Sequence, residues 1–149
     1  MSVDEDPQIL LTAEPLDAAA ALRHITIPSC GGISLFCGTT RDTFQNKRVL
    51  YLEYEAYDTM AVKEISRICT TLRQKHDVRR VYVAHRTGRV DVCEMSILVA
   101  ASSPHRASAI QFVSEAVDLI KRQVPVWKRE WYEDGSVWKE NCECTAVLT

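Results

Sequence analysis

Residues 103–130 read SPHRASAIQFVSEAVDLIKRQVPVWKRE, and this stretch decides the fold because it joins a helix start, a long apolar face and a strand start. Ser103 is a favoured N-cap, and Pro104 suits the first helical position, where a missing N–H group does no harm. Pro125 ends the helix, since the residue before a proline is driven out of the α region. The apolar residues that recur at the spacing of one helical face are Ile110, Val113, Val117, Ile120 and Val124.

Basic side chains gather at both ends of this predicted helix. His105 and Arg106 occupy its first turn, where unpaired N–H groups and the helix dipole attract anions. Lys121, Lys128 and Arg129 follow at the opposite end. A cationic Arg106 opposes the dipole, which is tolerable when an anion binds there. The alternative interpretation is a solvated first turn that carries an incidental arginine.

Length, charge and hydropathy restrict the class of protein. A chain of 149 residues is expected to form one domain, spanning 1–149, with a sizeable core. The net charge of -2 provides no overall field for nucleic acid or an acidic membrane, so any anion binding is local. No apolar run approaches the roughly 20 residues of a membrane span, and the acidic N-terminus is unlike a signal peptide. We therefore expect a cytosolic protein, with flexible ends at 1–8 and 141–149.

The six cysteines do not form a recognisable metal site. Four of them are scattered among apolar neighbours and are expected to be reduced, small core residues: Cys30, Cys37, Cys69 and Cys93. Cys142 and Cys144 form a C-x-C pair with no second pair to complete a zinc site. A redox-active or soft-metal-binding role for this pair stays open.

The remaining patterns predict an α+β fold in which helices pack on a mostly antiparallel or mixed sheet. Asp134 and Gly135 indicate the turn of a C-terminal hairpin. Residues 42–47 are polar and are expected to form a mobile loop. The predicted elements are strands at 9–12, 33–37, 49–57, 80–85 and 94–101, helices at 15–24 and 60–76, and a hairpin over 126–140.

A second candidate anion site follows the strand at 33–37. Gly38 is expected at the strand exit, where a glycine lets the backbone approach a ligand closely. Thr39 and Thr40 come next, and Arg41 offers a planar fork that matches phosphate or carboxylate. A plain turn with an exposed arginine is the alternative, because a short G-x-x-R pattern is weak by itself.

The length of the 103–124 helix separates its two groups of cations. Arg106 and Lys121 are 15 positions apart in the sequence, which corresponds to roughly 22 Å along a straight helix at about 1.5 Å per residue. One small ligand cannot contact both within one chain unless the helix is broken. We therefore expect a homodimer in which each pocket combines the helix start of one chain with Lys121 of the other.

Four ordered motifs give the chain a resemblance to a known family. These are F-x-G-x-x-R from Phe36 to Arg41, HRTG at 85–88, S-x-HR at 103–106, and K-x5-WKRE from Lys121 to Glu130. With these motifs in this order and spacing, the chain resembles the large, catalytic subunit of molybdopterin synthase. The resemblance covers about residues 32–140 and leaves out the first thirty residues and the C-x-C tail.

The resemblance implies an α/β hammerhead-type fold and a homodimer within a 2+2 heterotetramer. The partner is a small ubiquitin-like sulfur-carrier subunit that ends in a Gly-Gly thiocarboxylate, and the small-molecule substrate is cyclic pyranopterin monophosphate. Two sulfur transfers form the dithiolene of molybdopterin, with no metal or organic cofactor on this subunit. Lys121 and Lys128 are the expected catalytic residues. The expected substrate-binding residues are Thr39, Thr40, Arg41, His105, Arg106, Lys121, Lys128, Arg129 and Glu130.

Three other functions remain open on the residues alone. The same cations suit a non-catalytic module that binds a phosphorylated metabolite or an anionic peptide tail. A persulfide-type sulfurtransferase would use Cys142 or Cys144 as its nucleophile. A purely structural subunit is the third alternative, and the cations around an anion-ready helix start argue against it.

Overall fold

Two β-sheets and three helices are present in the computed structural model, which describes residues 5–140. The first sheet contains four strands in the spatial order β1, β5, β7, β2. Only the β1–β5 pair is parallel among the described pairs of this sheet. The strands are β1 (Gln8–Thr12), β2 (Gly32–Thr39), β5 (Arg80–Arg86) and β7 (Met95–Ser103).

The second sheet is antiparallel and includes the C-terminal hairpin. Its path runs through β3, β4, β8 and β9, and β6 pairs with β4 beside that path. The hairpin predicted around Asp134 and Gly135 is confirmed, and Gly135 adopts the positive φ of 86° that its turn requires. The strands are β3 (Thr43–Phe44), β4 (Lys47–Ala56), β6 (Gly88–Asp91), β8 (Val126–Tyr132) and β9 (Val137–Glu140).

The helices cover both faces of the first sheet. They are α1 (Ala18–Ile25), α2 (Asp58–Arg73) and α3 (Arg106–Gln123). On one face, the largest core cluster joins α2 and α3 to Val83 and Val99. On the other face, a second cluster joins α1 to Leu98 and Ala100. The central strand β7 is therefore buried on both sides, as its continuous apolar sequence predicts. The α+β class with a mixed sheet is confirmed.

The start of α3 was predicted too early. β7 continues through Ser103, which pairs with Gly32, so Ser103 is extended backbone rather than an N-cap. The cap is His105, and the Ser103 hydroxyl donates instead to the His105 carbonyl oxygen. The predicted apolar face is also wrong at Ile110, which is 54% exposed, because Phe112 faces the core in its place.

Four predictions near the second sheet are corrected. Gly38 lies within β2 and not at its exit, and a Cβ there would meet the Ile97 side chain at 2.7 Å. Residues 42–47 are not merely a loop, because β3 pairs there with the start of β4. Cys93, predicted to be a core residue, is exposed in the turn that follows β6. Leu50 is also 47% exposed, where a register shift between Val49 and Tyr51 breaks the alternation of β4.

The chain ends are only partly described. Of the N-terminal segment expected to be flexible, residues 5–8 are described. Gln8 already belongs to β1, and the Glu5 carboxylate lies 2.9 Å from the Arg80 guanidinium. The expectations for 1–4 and 141–149, including the Cys142 and Cys144 pair, lie outside the described residues. Within the described part of the chain, no helix is both long and apolar enough to span a membrane.

Candidate active site

A cavity of about 260 Å³ lies where the C-terminal end of α3 meets both sheets. Three cations line it, Arg41, Lys121 and Lys128, and no described carboxylate does. Such a cavity favours an anionic ligand, because unlike charges attract most strongly where water is partly excluded. The other lining residues are Gly38, Thr39, Leu52, Tyr54, His85, Ser96, Ile97, Ile120, Val124 and Val126.

A sharp chain reversal brings the two predicted catalytic lysines to the same cavity. Val124 is the C-cap of α3 and is already extended, with φ −81° and ψ 130°, because Pro125 follows it. Lys121 therefore lies on the last turn of α3, while Lys128 is the third residue of β8. The sequence spacing of the K-x5-WK motif is thus the length of one helix turn, one reversal and one strand start.

A bulge at the end of β2 directs Thr39 and Arg41 toward the cavity that these lysines line. The β2–β7 register shifts between Gly38 and Thr39, which leaves Ser96 out of the pairing. The Ser96 hydroxyl donates to the Gly38 carbonyl oxygen at 3.3 Å. Thr39 and Arg41 then both reach the cavity. Arg41 is also held 6.0 Å from the ring centroid of Phe44.

Thr40 is placed differently from its neighbours. Its side chain is 3% exposed and does not line the cavity. Its backbone N–H group donates to the Glu94 carbonyl oxygen at 3.1 Å, and its own carbonyl accepts from the Cys93 N–H group at 3.0 Å. Thr40 thus fastens the Arg41 segment to the turn before β7.

His85 forms part of the cavity wall as a neutral imidazole. Burial lowers the pKa of His85 below its ordinary value. Its Nδ1 lies 2.9 Å from the Arg86 carbonyl oxygen, which can only accept, so Nδ1 carries the proton and Nε2 is left as an acceptor. The Tyr54 ring packs edge-on against it at 5.0 Å. His85, near the end of β5, is therefore also part of the candidate site.

Glu130 lies behind Lys128 and is 6% exposed. One carboxylate oxygen is 3.4 Å from the Lys128 ammonium group, and the other accepts a hydrogen bond of 2.5 Å from the Tyr132 hydroxyl. A buried carboxylate needs such partners, because its desolvation is otherwise unfavourable. Glu130 therefore braces Lys128 and has no surface in the cavity.

Arg129 points to the opposite side of β8. It lies across from Glu53 on β4 and Lys139 on β9, and it lines a separate open groove of about 830 Å³. Lys128 contributes to both the groove and the cavity, as does Tyr54, so the two spaces adjoin.

The remaining two predicted site residues lie at the far end of α3. His105 and Arg106 are exposed beside Gly32, where a Cβ on the glycine would meet the Arg106 Cα at 2.7 Å. The 18 residues of α3 span about 27 Å at about 1.5 Å per residue, so these two side chains cannot reach the cavity of their own chain.

Sequence reasoning did not single out Tyr54, Leu52 and Tyr132 as residues of this site. Leu52 and Tyr54 reach it because β4 pairs with β8, which places Tyr54 opposite Lys128 and Leu52 opposite Glu130. The alternation of polar and apolar residues predicts which face of β4 or β8 each side chain occupies. It does not predict the register in which the two strands pair.

The fold and the cavity together define a class of protein, an α+β protein with a cation-lined cavity between a helix end and a strand hairpin, which suits a small anionic ligand. The family described as MoaE protein matches residues 11–123, which is most of the chain. The human molybdopterin synthase catalytic subunit is 49% identical over 136 residues, covering 91% of this chain and 72% of that protein. The chain belongs to the MoaE family.

Two further comparisons agree with this membership. The Drosophila melanogaster molybdopterin synthase catalytic subunit is 49% identical over 138 residues, and this chain spans only 38% of its length. The crystal structure of molybdopterin synthase from Staphylococcus aureus has a TM-score of 0.82 at 29% identity, covering 91% of this chain and 97% of that one.

Proposed function

We propose that the chain is the catalytic subunit of a molybdopterin synthase. It transfers sulfur from the thiocarboxylated C-terminus of a small ubiquitin-like carrier to cyclic pyranopterin monophosphate, in two transfers that build the dithiolene. The observation that carries the proposal is the cavity that gathers Arg41, Lys121 and Lys128 without a described carboxylate in its lining. Family membership supports it, as do the names of the relatives, which favour an enzyme over a binding module.

The proposed division of labour follows from the side chains. The guanidinium of Arg41 suits a phosphate, because its planar fork forms two parallel hydrogen bonds. Lys121 and Lys128 are proposed to serve as acid–base or covalent groups toward the reacting carbon and the thiocarboxylate. Thr39 offers a hydroxyl at the cavity wall, whereas Thr40 and Glu130 support the site from behind.

The site is proposed to be completed by a second copy of the chain. His105 and Arg106 lie roughly 22 Å along α3 from Lys121, so in a dimer they would serve the partner's cavity. The assembly is then a homodimer within a 2+2 heterotetramer that has one carrier at each end. Arg129, in the groove that adjoins the cavity, is proposed to contact the carrier's anionic tail.

We infer that the protein acts in the cytosol. Support comes from the four cysteines of the described residues, Cys30, Cys37, Cys69 and Cys93, all of which are free thiols. Free thiols are usual where glutathione and thioredoxin keep proteins reduced.

The test is turnover of cyclic pyranopterin monophosphate with a thiocarboxylated carrier. Wild-type protein should form the dithiolene product, while Lys121→Ala and Lys128→Ala should fold normally and form none. Full activity in either variant removes that lysine from the reaction. Binding of both reactants by the wild type without product would support the binding module instead. Replacing Cys142 and Cys144 with serine should leave activity unchanged, and loss of activity would favour a persulfide route.

A further inference from the structure

Three side chains on one face of β8 form a connected series that ends at the cavity. Residues 128, 130 and 132 are two apart, so they share a face of the strand. The Tyr132 hydroxyl donates to Glu130 Oε2 at 2.5 Å, and Glu130 Oε1 lies 3.4 Å from Lys128 Nζ. Both Glu130 and Tyr132 are 6% exposed, whereas Lys128 reaches the cavity.

The hydroxyl of Tyr132 determines which way the Glu130 carboxylate faces. The terminal torsion of a glutamate is broad and nearly two-fold, so the carboxylate has little orientation of its own. A hydrogen bond to one oxygen leaves the other directed at Lys128. The carboxylate is buried, so a water molecule cannot readily replace the hydroxyl.

Tyr132 is itself held rigidly. Its ring packs with Val49 and Leu52 in the small core cluster of the second sheet. The Lys47 ammonium group lies 5.3 Å from the ring centroid on the outer side. A rigid donor is what a positioning role requires, because it transmits the geometry of the core to the lysine.

We propose that Tyr132 is a positioning residue that acts through Glu130 to hold the Lys128 amine in the cavity. This inference rests on the proposed sulfur transfer for its effect on catalysis, and on the geometry of the three side chains alone for its effect on Lys128. Tyr132 is not among the residues that line the cavity, so its contribution is to orientation and not to ligand contact.

The kinetic test uses Tyr132→Phe, which removes one oxygen atom and keeps the ring. The kcat of sulfur transfer should fall by about tenfold or more, the usual effect of losing a hydrogen bond to a charged group, while KM for both substrates changes less than about twofold. Tyr82→Phe is the matched control, because Tyr82 is a buried tyrosine, 8% exposed, in a different core cluster. An equal loss of kcat in the control would mark the effect as structural and overturn the proposal.

A second readout does not depend on activity. Acylation of each lysine by acetic anhydride, followed by mass spectrometry, reports how freely each amine reacts. In Tyr132→Phe the Glu130 carboxylate can rotate away, so Lys128 should be acylated at least about threefold faster, with exposed Lys63 unchanged as the internal reference. An unchanged Lys128 rate overturns the inference whatever the activity shows. If the wild type lacks turnover, the proposed function fails and the Lys128 rate still decides the positioning role.

Discussion

Replacing Gly32 with alanine should displace the start of α3 and with it two proposed substrate-binding side chains. Gly32 is the first residue of β2 and is buried against the helix start. A Cβ there would lie 2.7 Å from both the Cα and the N of Arg106, and 2.9 Å from the carbonyl carbon of His105. All three atoms belong to the backbone, so no side chain can rotate away.

The size of the effect follows from these distances. Ordinary contact begins near 3.4 Å, so the helix start must move by about 0.7 Å, the difference from 2.7 Å. Overpacking of this kind usually destabilises a protein by about 1–3 kcal/mol. For a domain of this size that corresponds to a fall in Tm of roughly 2–12 °C. Because His105 and Arg106 move with the helix start, sulfur transfer should fall further than the loss of folded protein explains.

The control is Gly31→Ala. A Cβ on Gly31 would meet only the Pro104 carbonyl oxygen, at 3.4 Å, which is ordinary contact. The free energy of unfolding of this neighbouring variant should therefore lie within about 0.5 kcal/mol of the wild-type value. Urea denaturation followed by circular dichroism measures both variants, and turnover is compared at equal concentrations of folded protein. If Gly32→Ala matches Gly31→Ala in both measurements, the packing of β2 against α3 does not position these residues.

Two further predictions concern buried titratable groups. Burial lowers the pKa of His85, so the unfolded chain binds more protons than the folded one below about pH 6.5, and stability should fall as the pH decreases from there through the folded pKa. Urea unfolding at pH 5 and pH 7.5 checks this: His85→Gln should lose less stability on acidification than the wild type, and equal losses would contradict it. Burial also raises the pKa of Cys69 to about 12, so at pH 8 iodoacetamide should modify exposed Cys93 in minutes and Cys69 only on unfolding. Labelling of the two thiols at similar rates in folded protein would refute that assignment.

The helices and the central strand could be predicted because their signals are local. The α2 face formed by Ala61, Ile65, Ile68 and Leu72 is buried as its spacing indicates. The continuous apolar run of β7 likewise predicts a strand covered on both sides. Pro125 fixes the end of α3, so the adjacency of Lys121 and Lys128 also follows from local rules.

The start of α3 could not be predicted in the same way, because a tertiary pairing decides it. Ser103 and Pro104 are good helix-start residues, yet the pairing of Ser103 with Gly32 extends β7 through Ser103, and the helix begins only at Arg106. The β4 bulge that exposes Leu50 is likewise a property of the β4–β8 register. The Tyr132–Glu130–Lys128 series is visible as alternate residues of one strand, but only the burial of Glu130 shows why the tyrosine matters.

The central claim is that each site combines Arg41, Lys121 and Lys128 of one chain with His105 and Arg106 of another. Mixing inactive Arg106→Ala and Lys121→Ala chains under conditions that exchange subunits tests it directly. In a mixed dimer one site receives both mutations and the other receives neither, so random exchange should restore about a quarter of wild-type turnover. Turnover that stays at the level of the separate variants, although mass spectrometry shows that mixed dimers have formed, would contradict the shared site.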